Sequence, residues 1–200
     1  MGRTWLACAL GASAMALAAC SNTSSDMPYT PPAGLATVQD PVVASVTAID
    51  HRKEEPHRLA TIMGGFGNPL KTLDTTLPVK DEVAAAFTAG LRARGLLQPD
   101  GHAPYRIQLL IRKYDADMIM GSTARIDLDM DVIDQKTDQV VYHDTAVDQR
   151  SDFHFFATGV FASMDGLQKL AQDVLNATVD NMLDKPGFRS VIDRPLAKAN

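Results

Sequence analysis

The sequence is poor in the residues that most often announce a chemistry. It holds two cysteines, Cys8 and Cys20, one tryptophan, Trp5, and no surplus of basic charge: 19 Lys and Arg stand against 24 Asp and Glu, a net charge of −5. An acidic balance without clustered Lys and Arg excludes a nucleic-acid partner and a polybasic membrane patch, since both need phosphate neutralisation. No Gly-x-Ser-x-Gly elbow offers a serine nucleophile; Gly121-Ser122-Thr123 reads as a turn before a strand. His-Glu-x-x-His is also missing, and His51 and His57 lie six apart in a charged corner, so no metal is assigned. Gly64-Gly65-Phe66-Gly67 lacks the Lys-Ser/Thr ending of a phosphate loop. No catalytic residue and no cofactor follow from these residues.

Long apolar runs are missing too, and the one at the N-terminus is short. Arg3 supplies a positive start, Trp5 to Leu17 an apolar core, and Leu17-Ala18-Ala19-Cys20 a small-residue ending followed by the polar run Ser21-Asn22-Thr23-Ser24-Ser25. About 20 apolar residues are needed to cross a bilayer, and this core falls short of that. Met1-Gly2 does not make a myristoylation site, because position 6 is Leu6.

The Leu-Ala-Ala-Cys ending resembles the lipobox of bacterial lipoproteins. The resemblance implies cleavage between Ala19 and Cys20 and acylation of Cys20, which anchors the chain in a membrane. Ser21, in place of the Asp of an inner-membrane retention signal, implies the outer membrane, with the folded part on the periplasmic side. Removal of residues 1–19 would take Cys8, Trp5 and Arg3, leaving Cys20 as the sole cysteine and excluding a disulfide within one chain.

Residues 20–40 contain Pro28, Pro31, Pro32 and Gly34 among Ser, Thr and Asn, and read as a tether. At ~3.1 Å per residue in a polyproline-like state it would reach roughly 60 Å from the lipid. Residues 41–187 suit one α+β domain, with 188–200 as a C-terminal tail. Pro41 to Asp50 is β-branched and predicts a strand buried on both faces, and Leu59 to Met63 a short strand. Val79, Val83, Phe87 and Leu91 recur every four residues on a helix with Asp81 and Glu82 in its first turn, Arg92 and Arg94 in its last, and Gly95 beyond.

Strands follow at Tyr105 to Tyr114, Ala124 to Asp134 and Val140 to Arg150, the last two a hairpin about Gln135–Asp138. A second helix runs from the N-cap Ser163 to Asp184, stopped by Pro186-Gly187. The expected architecture is a mostly antiparallel sheet of about four strands with two helices on one face, in the order β-α-β-β-β-α.

Asp127, Asp129 and Asp131 alternate onto one strand face at about 6.5 to 7 Å, too far apart for two neighbours to share one calcium ion. Asp144, expected opposite Asp129, could close that gap. The plainer reading is a solvated face, with Arg106 or Arg112 as cross-strand partners. Phe153, Phe155, Phe156 and Phe161 crowd the stretch before the second helix, and either plug the end of the fold or present a patch to a partner.

Asp50-x-Arg52 at the end of the first strand, Arg94-Gly95 at the end of the first helix, the repeated strands and the amphipathic last helix resemble, over residues 40 to 185, the YajG-type lipoproteins. They are also similar to the auxiliary lipoproteins of envelope ABC transporters. The resemblance implies a non-enzymatic accessory protein that docks on an envelope protein through its sheet edge or the Phe cluster. Two other readings stay open from the residues: a binding module for a small apolar or lipid ligand, and a hydrolase without a recognisable motif.

Overall fold

A computed structural model describes residues 21–38, 40–63, 69–98, 102–118, 122–152 and 164–193. Seven strands form one open sheet: β1 (Ser21–Ser25), β2 (Val43–Asp50), β3 (Arg58–Met63), β4 (Pro69–Thr75), β5 (Tyr105–Met118), β6 (Ser122–Asp134) and β7 (Gln139–Asp152). Three helices, α1 (Val79–Ala93), α2 (Met164–Leu183) and α3 (Pro186–Ile192), complete the described chain. The α+β class is as expected, but the sheet has seven strands where about four were expected, and a third helix occupies part of the expected tail. Phe188 and Ile192 of α3 are buried, so apolar residues beyond the Pro-Gly stop fold back onto the core.

The sheet is ordered β1-β4-β3-β5-β6-β7, and β2 also pairs with β5. Its centre is antiparallel, β5 to β6 to β7, and the inward residues alternate as period-two burial requires. Ile107, Leu109 and Ile111 point inward from β5; Ala124, Ile126, Leu128, Met130 and Val132 do so from β6. A bulge at Arg112 adds one residue, so burial resumes at Tyr114 and Ala116 while Arg112 and Lys113 both stay exposed. Against this face lie Val83, Phe87 and Leu91 of α1 and Leu167, Val174, Leu175 and Val179 of α2. The Tyr114 hydroxyl donates to the carbonyl of Ala171 at 2.9 Å, so this buried polar tip is satisfied.

Both central helices keep the expected bounds within a residue or two. Pro78 precedes α1 with extended φ/ψ and no side-chain cap, and Glu82 instead accepts from the backbone N–H of Leu77 at 3.3 Å. Gly95 takes φ +70, which a β-carbon would strain, and a β-carbon there would also stand 2.4 Å from the Val38 carbonyl. Ser163, expected as the N-cap of α2, lies outside the described residues.

Two expectations give way, and one strand was not expected. β2 exposes Ser45, Thr47 and Ile49, because only one of its faces meets a helix; β-branched content does not distinguish one covered face from two. β4 begins at a proline and carries only one fully buried aliphatic, Leu73, so it lacked a strand pattern. The tether is the largest correction, since Ser21–Ser25 pairs in parallel with β4 from Ser21↔Lys71 to Ser25↔Thr75. Met27 is 1% exposed, Gln172 Nε2 donates to the Pro28 carbonyl at 2.7 Å, and Val38 N–H donates to the Arg94 carbonyl at 2.9 Å. Burying one Met side chain is worth about 1.5–3 kcal/mol, and strand pairing needs backbone rather than side chains, so a polar, Pro-containing segment docks here without an apolar pattern.

Gly90 lies where α1 packs directly on α2 side chains. A β-carbon added there would meet Val179 Cγ1 at 2.6 Å and Leu183 Cδ1 at 3.0 Å. Gly90→Ala is therefore expected to lower stability by about 1–3 kcal/mol, against the usual gain for Gly→Ala in a helix. Urea denaturation followed by circular dichroism measures it, with Ala89→Gly as a control that should also destabilise, by about 1 kcal/mol through propensity alone.

Candidate functional site

Three polar clusters and one strand edge are the features that could carry function. Asp50-x-Arg52 forms the first cluster. Arg52 donates from Nε and Nη2 to Asp50 at 2.8 to 3.2 Å, and from Nη1 to the carbonyls of Arg58 at 2.7 Å and Tyr114 at 3.0 Å. The need for it follows from the sheet: β2 flanks β5 up to Ile111, β3 reaches it at Ala116, and the backbone between them is left at a fork. A planar guanidinium with five donors closes that fork. The motif is a structural clasp.

The second cluster surrounds Arg94, whose side chain is 1% exposed. It donates to Asp184 from Nε at 2.8 Å and from Nη2 at 2.6 Å, to Asp180 at 2.9 Å, to the Gly90 carbonyl at 3.1 Å and to the Tyr29 hydroxyl at 3.1 Å. Tyr29 in turn donates to Asp180 at 2.5 Å. Burial alone would ease the proton off Arg94, but the hydrogen bonds it donates to Asp184, Tyr29 and Asp180 outweigh it and raise its pKa, so it stays charged. In the sequence Arg94 read only as a helix-end cation; nothing local pointed to partners about 65 and 90 residues away.

The third is the carboxylate ladder of β6. Asp129 is 6% exposed, pairs with Arg112 and accepts from Thr145 Oγ1 at 2.8 Å. Asp131 meets His143 Nδ1 at 2.7 Å, and Asp127 lies 4.0 Å from Arg112. Arg112 is thus a cross-strand partner, whereas Arg106 turns to Asp138 at 2.5 Å. Asp144 does not stand opposite Asp129. A bulge beside Val132 and Ile133 inserts Val141, so Asp129 pairs with Thr145, and Asp144 falls on the helix side, bonded to Lys185 at 2.8 Å. A one-residue slip moves a side chain to the other face. Among the described residues no group of three or more His, Cys, Asp or Glu is placed to hold a metal. His57 Nδ1 lies 2.9 Å from the Thr75 carbonyl.

Two clefts of about 490 and 500 Å³ open on either side of Pro56, one lined by His57, Arg58 and Asp74, the other by Ile49, Arg52 and Lys80. They lie at the surface around the 51–57 corner rather than between helices and sheet.

The edge is β7. It runs 14 residues, pairs only with β6 among the described strands, and exposes Val140, Val141 and Val147 at 53%, 42% and 55%. The adjacent exposures of Val140 and Val141 reflect the bulge, since strict alternation would bury one of them. The expected partner-binding residues Phe153, Phe155, Phe156 and Phe161 follow β7 directly in the chain and lie outside the described residues, as do Ala19 and Cys20. Among the described residues no helix is long and apolar enough to cross a membrane.

No protein-family model and no curated protein matches the chain. Solved structures do. A Xanthomonas campestris protein described as DUF330 superposes with TM-score 0.58 at 13% identity, covering 86% of this chain and 96% of that one. A crystal structure of an uncharacterised protein gives 0.51 at 10% identity over 86% and 99%. Those two share the fold of this chain, and at such identities the likeness shows the fold alone. A minor lipoprotein from Acinetobacter baumannii is a weaker match, TM-score 0.39 at 14% identity over 56% and 84%, and carries no argument.

The two arginine clusters predict how stability depends on pH. The Arg94 hydrogen bonds hold Asp184 below the ordinary carboxylate range. At Asp50 burial pushes the pKa up, but the bonds from Arg52 outweigh it and the result is also a lowered value. The unfolded chain therefore takes up protons first on acidification, and stability present above about pH 4 is lost as pH falls through the folded values. Urea midpoints at pH 6, 4 and 3 should fall in that order, and Asp184→Asn should flatten the fall while lowering the pH 6 value.

Proposed function

We propose that this protein is a lipid-anchored, non-enzymatic accessory protein of the bacterial cell envelope, held through Cys20 in the outer membrane and acting by binding another envelope protein along β7. The observation that carries the reading is that edge. Folded proteins usually shorten, charge or cover an edge strand, because its unpaired N–H and C=O groups pair with any extended chain. Here 14 residues lie at the edge of the described sheet, with three exposed valines on it and a single bulge at one end. Such an edge suits strand addition, in which main-chain hydrogen bonds supply affinity and alternate side chains supply selectivity.

The Phe153–Phe161 stretch, continuous with β7 in sequence, would add apolar contact area beyond the strand. A ligand held between helices and sheet has less to support it: Phe87, Leu91, Tyr114, Leu167 and Leu175 fill that layer and are fully buried.

Val147→Lys and Val140→Lys are expected to weaken partner capture by tenfold or more while leaving the folding midpoint within about 0.5 kcal/mol, as exposed positions should. A photo-crosslinking residue at 147 should yield an adduct with one envelope protein in intact cells, and the same residue at Thr47, on the open face of β2, should not. Equal adducts from both positions would remove β7 as the binding edge.

A further inference from the structure

The registers of β1, β3, β4, β5, β6 and β7 place one set of residues at the same end of the sheet. β1 starts at Ser21 beside Lys71, at the beginning of β4; β4 starts at Pro69 opposite Met63, the end of β3. β3 runs parallel to β5, so its end lies toward Met118, which pairs with Ser122, and Ser122 pairs with Asp152 at the end of β7. The opposite end carries the Gln135–Asp138 turn, where Asp134 accepts the N–H groups of Lys136 and Thr137 and Arg106 meets Asp138.

Cys20 is the covalent neighbour of Ser21, about 3.8 Å away Cα to Cα. No spacer separates an acylated Cys20 from the sheet. The segment that could have served as one is fixed downstream by the β1–β4 ladder, by Met27 and by the Tyr29 bonds to Arg94 and Asp180. Lipid on Cys20 would therefore emerge at this end and at no other. Leu70, 45% exposed, lies here as well. The linking residues 135–138 at the opposite end carry Lys136 and Asp138.

We infer that the protein stands upright on its membrane, the sheet end bearing Ser21, Leu70, Met118, Ser122 and Asp152 resting against the lipid surface. The inference rests on the lipid-anchor reading of Cys20 and adds to it a fixed orientation. β6 spans 13 residues, so the Gln135–Asp138 turn points away from the bilayer at a height of roughly 40 Å. β7 then runs from that height down to the membrane, and a strand added to it would lie along the membrane normal.

The test uses the full acylated protein purified from membranes and reconstituted into phosphatidylethanolamine and phosphatidylglycerol vesicles that include a headgroup-nitroxide lipid. Because leader removal and acylation leave no other thiol, a single introduced cysteine carries the fluorophore. Leu70→Cys is expected to be quenched at least threefold more than Thr137→Cys, and Thr123→Cys more than Gln139→Cys, the second pair guarding against a local folding defect at either site of the first. Equal or reversed quenching in protein that floats with the vesicles and carries acyl mass on Cys20 would overturn the orientation alone. Protein that lacks acyl mass or fails to float would overturn the anchor reading, and the orientation with it.

Discussion

The buried guanidinium of Arg94 is the constraint on which the arrangement of the helices and the N-terminal segment depends. It sits at the C-terminal end of α1, neutralised by Asp180 and Asp184 of the last turns of α2 and its exit, and it reaches the hydroxyl of Tyr29. One side chain therefore ties three stretches of chain that are far apart in sequence. A buried charge left without its partners costs several kcal/mol, so no one of the three can move away cheaply. Gly90, one turn earlier, lets α2 come close enough for the carboxylates to arrive.

The second arginine works at the level of the sheet. An open sheet in which two strands share one edge of a third must leave backbone groups unpaired where they part. Arg52 fills that position with bonds to the carbonyls of Arg58 and Tyr114, and Asp50 neutralises it. Both arginines thus do structural work, and the acidic ladder on β6 is likewise occupied by Arg112, Thr145 and His143. The polar residues that looked most like chemistry are committed to one another. What remains are the strand edges, of which β7 is the longest among the described strands, and the sheet end at which β1 begins.

Those two features complement each other. A domain on a long free tether samples many orientations, and a partner must select one, at an entropic cost. A domain whose first strand begins next to its anchor presents the same edge in the same direction throughout. Under the proposed acylation of Cys20, the docking of Ser21–Val38 onto the domain would convert an anchor into an orientation, which suits the proposed action by contact.

The α+β class, both long helices and the three central strands were legible in the residues, because each depends on a local period: four-residue recurrence of Val79, Val83, Phe87 and Leu91, or alternation of Ile126, Leu128, Met130 and Val132. The lipobox-like ending at Cys20 is likewise read from local sequence alone, and it lies outside the described residues. What was not legible depends on contacts distant in sequence. Ser21–Ser25 contains no apolar residue and becomes a strand only because the edge of β4 offers backbone partners. The register that separates Asp144 from Asp129 turns on one bulged residue, Val141, and the partners of Arg94 and Arg52 lie on other elements. Local periodicity and composition therefore determined the elements; pairing of backbone groups and burial of charge, which only the folded chain can arrange, decided the edges, the docking of the N-terminal segment and the partners of Arg52 and Arg94.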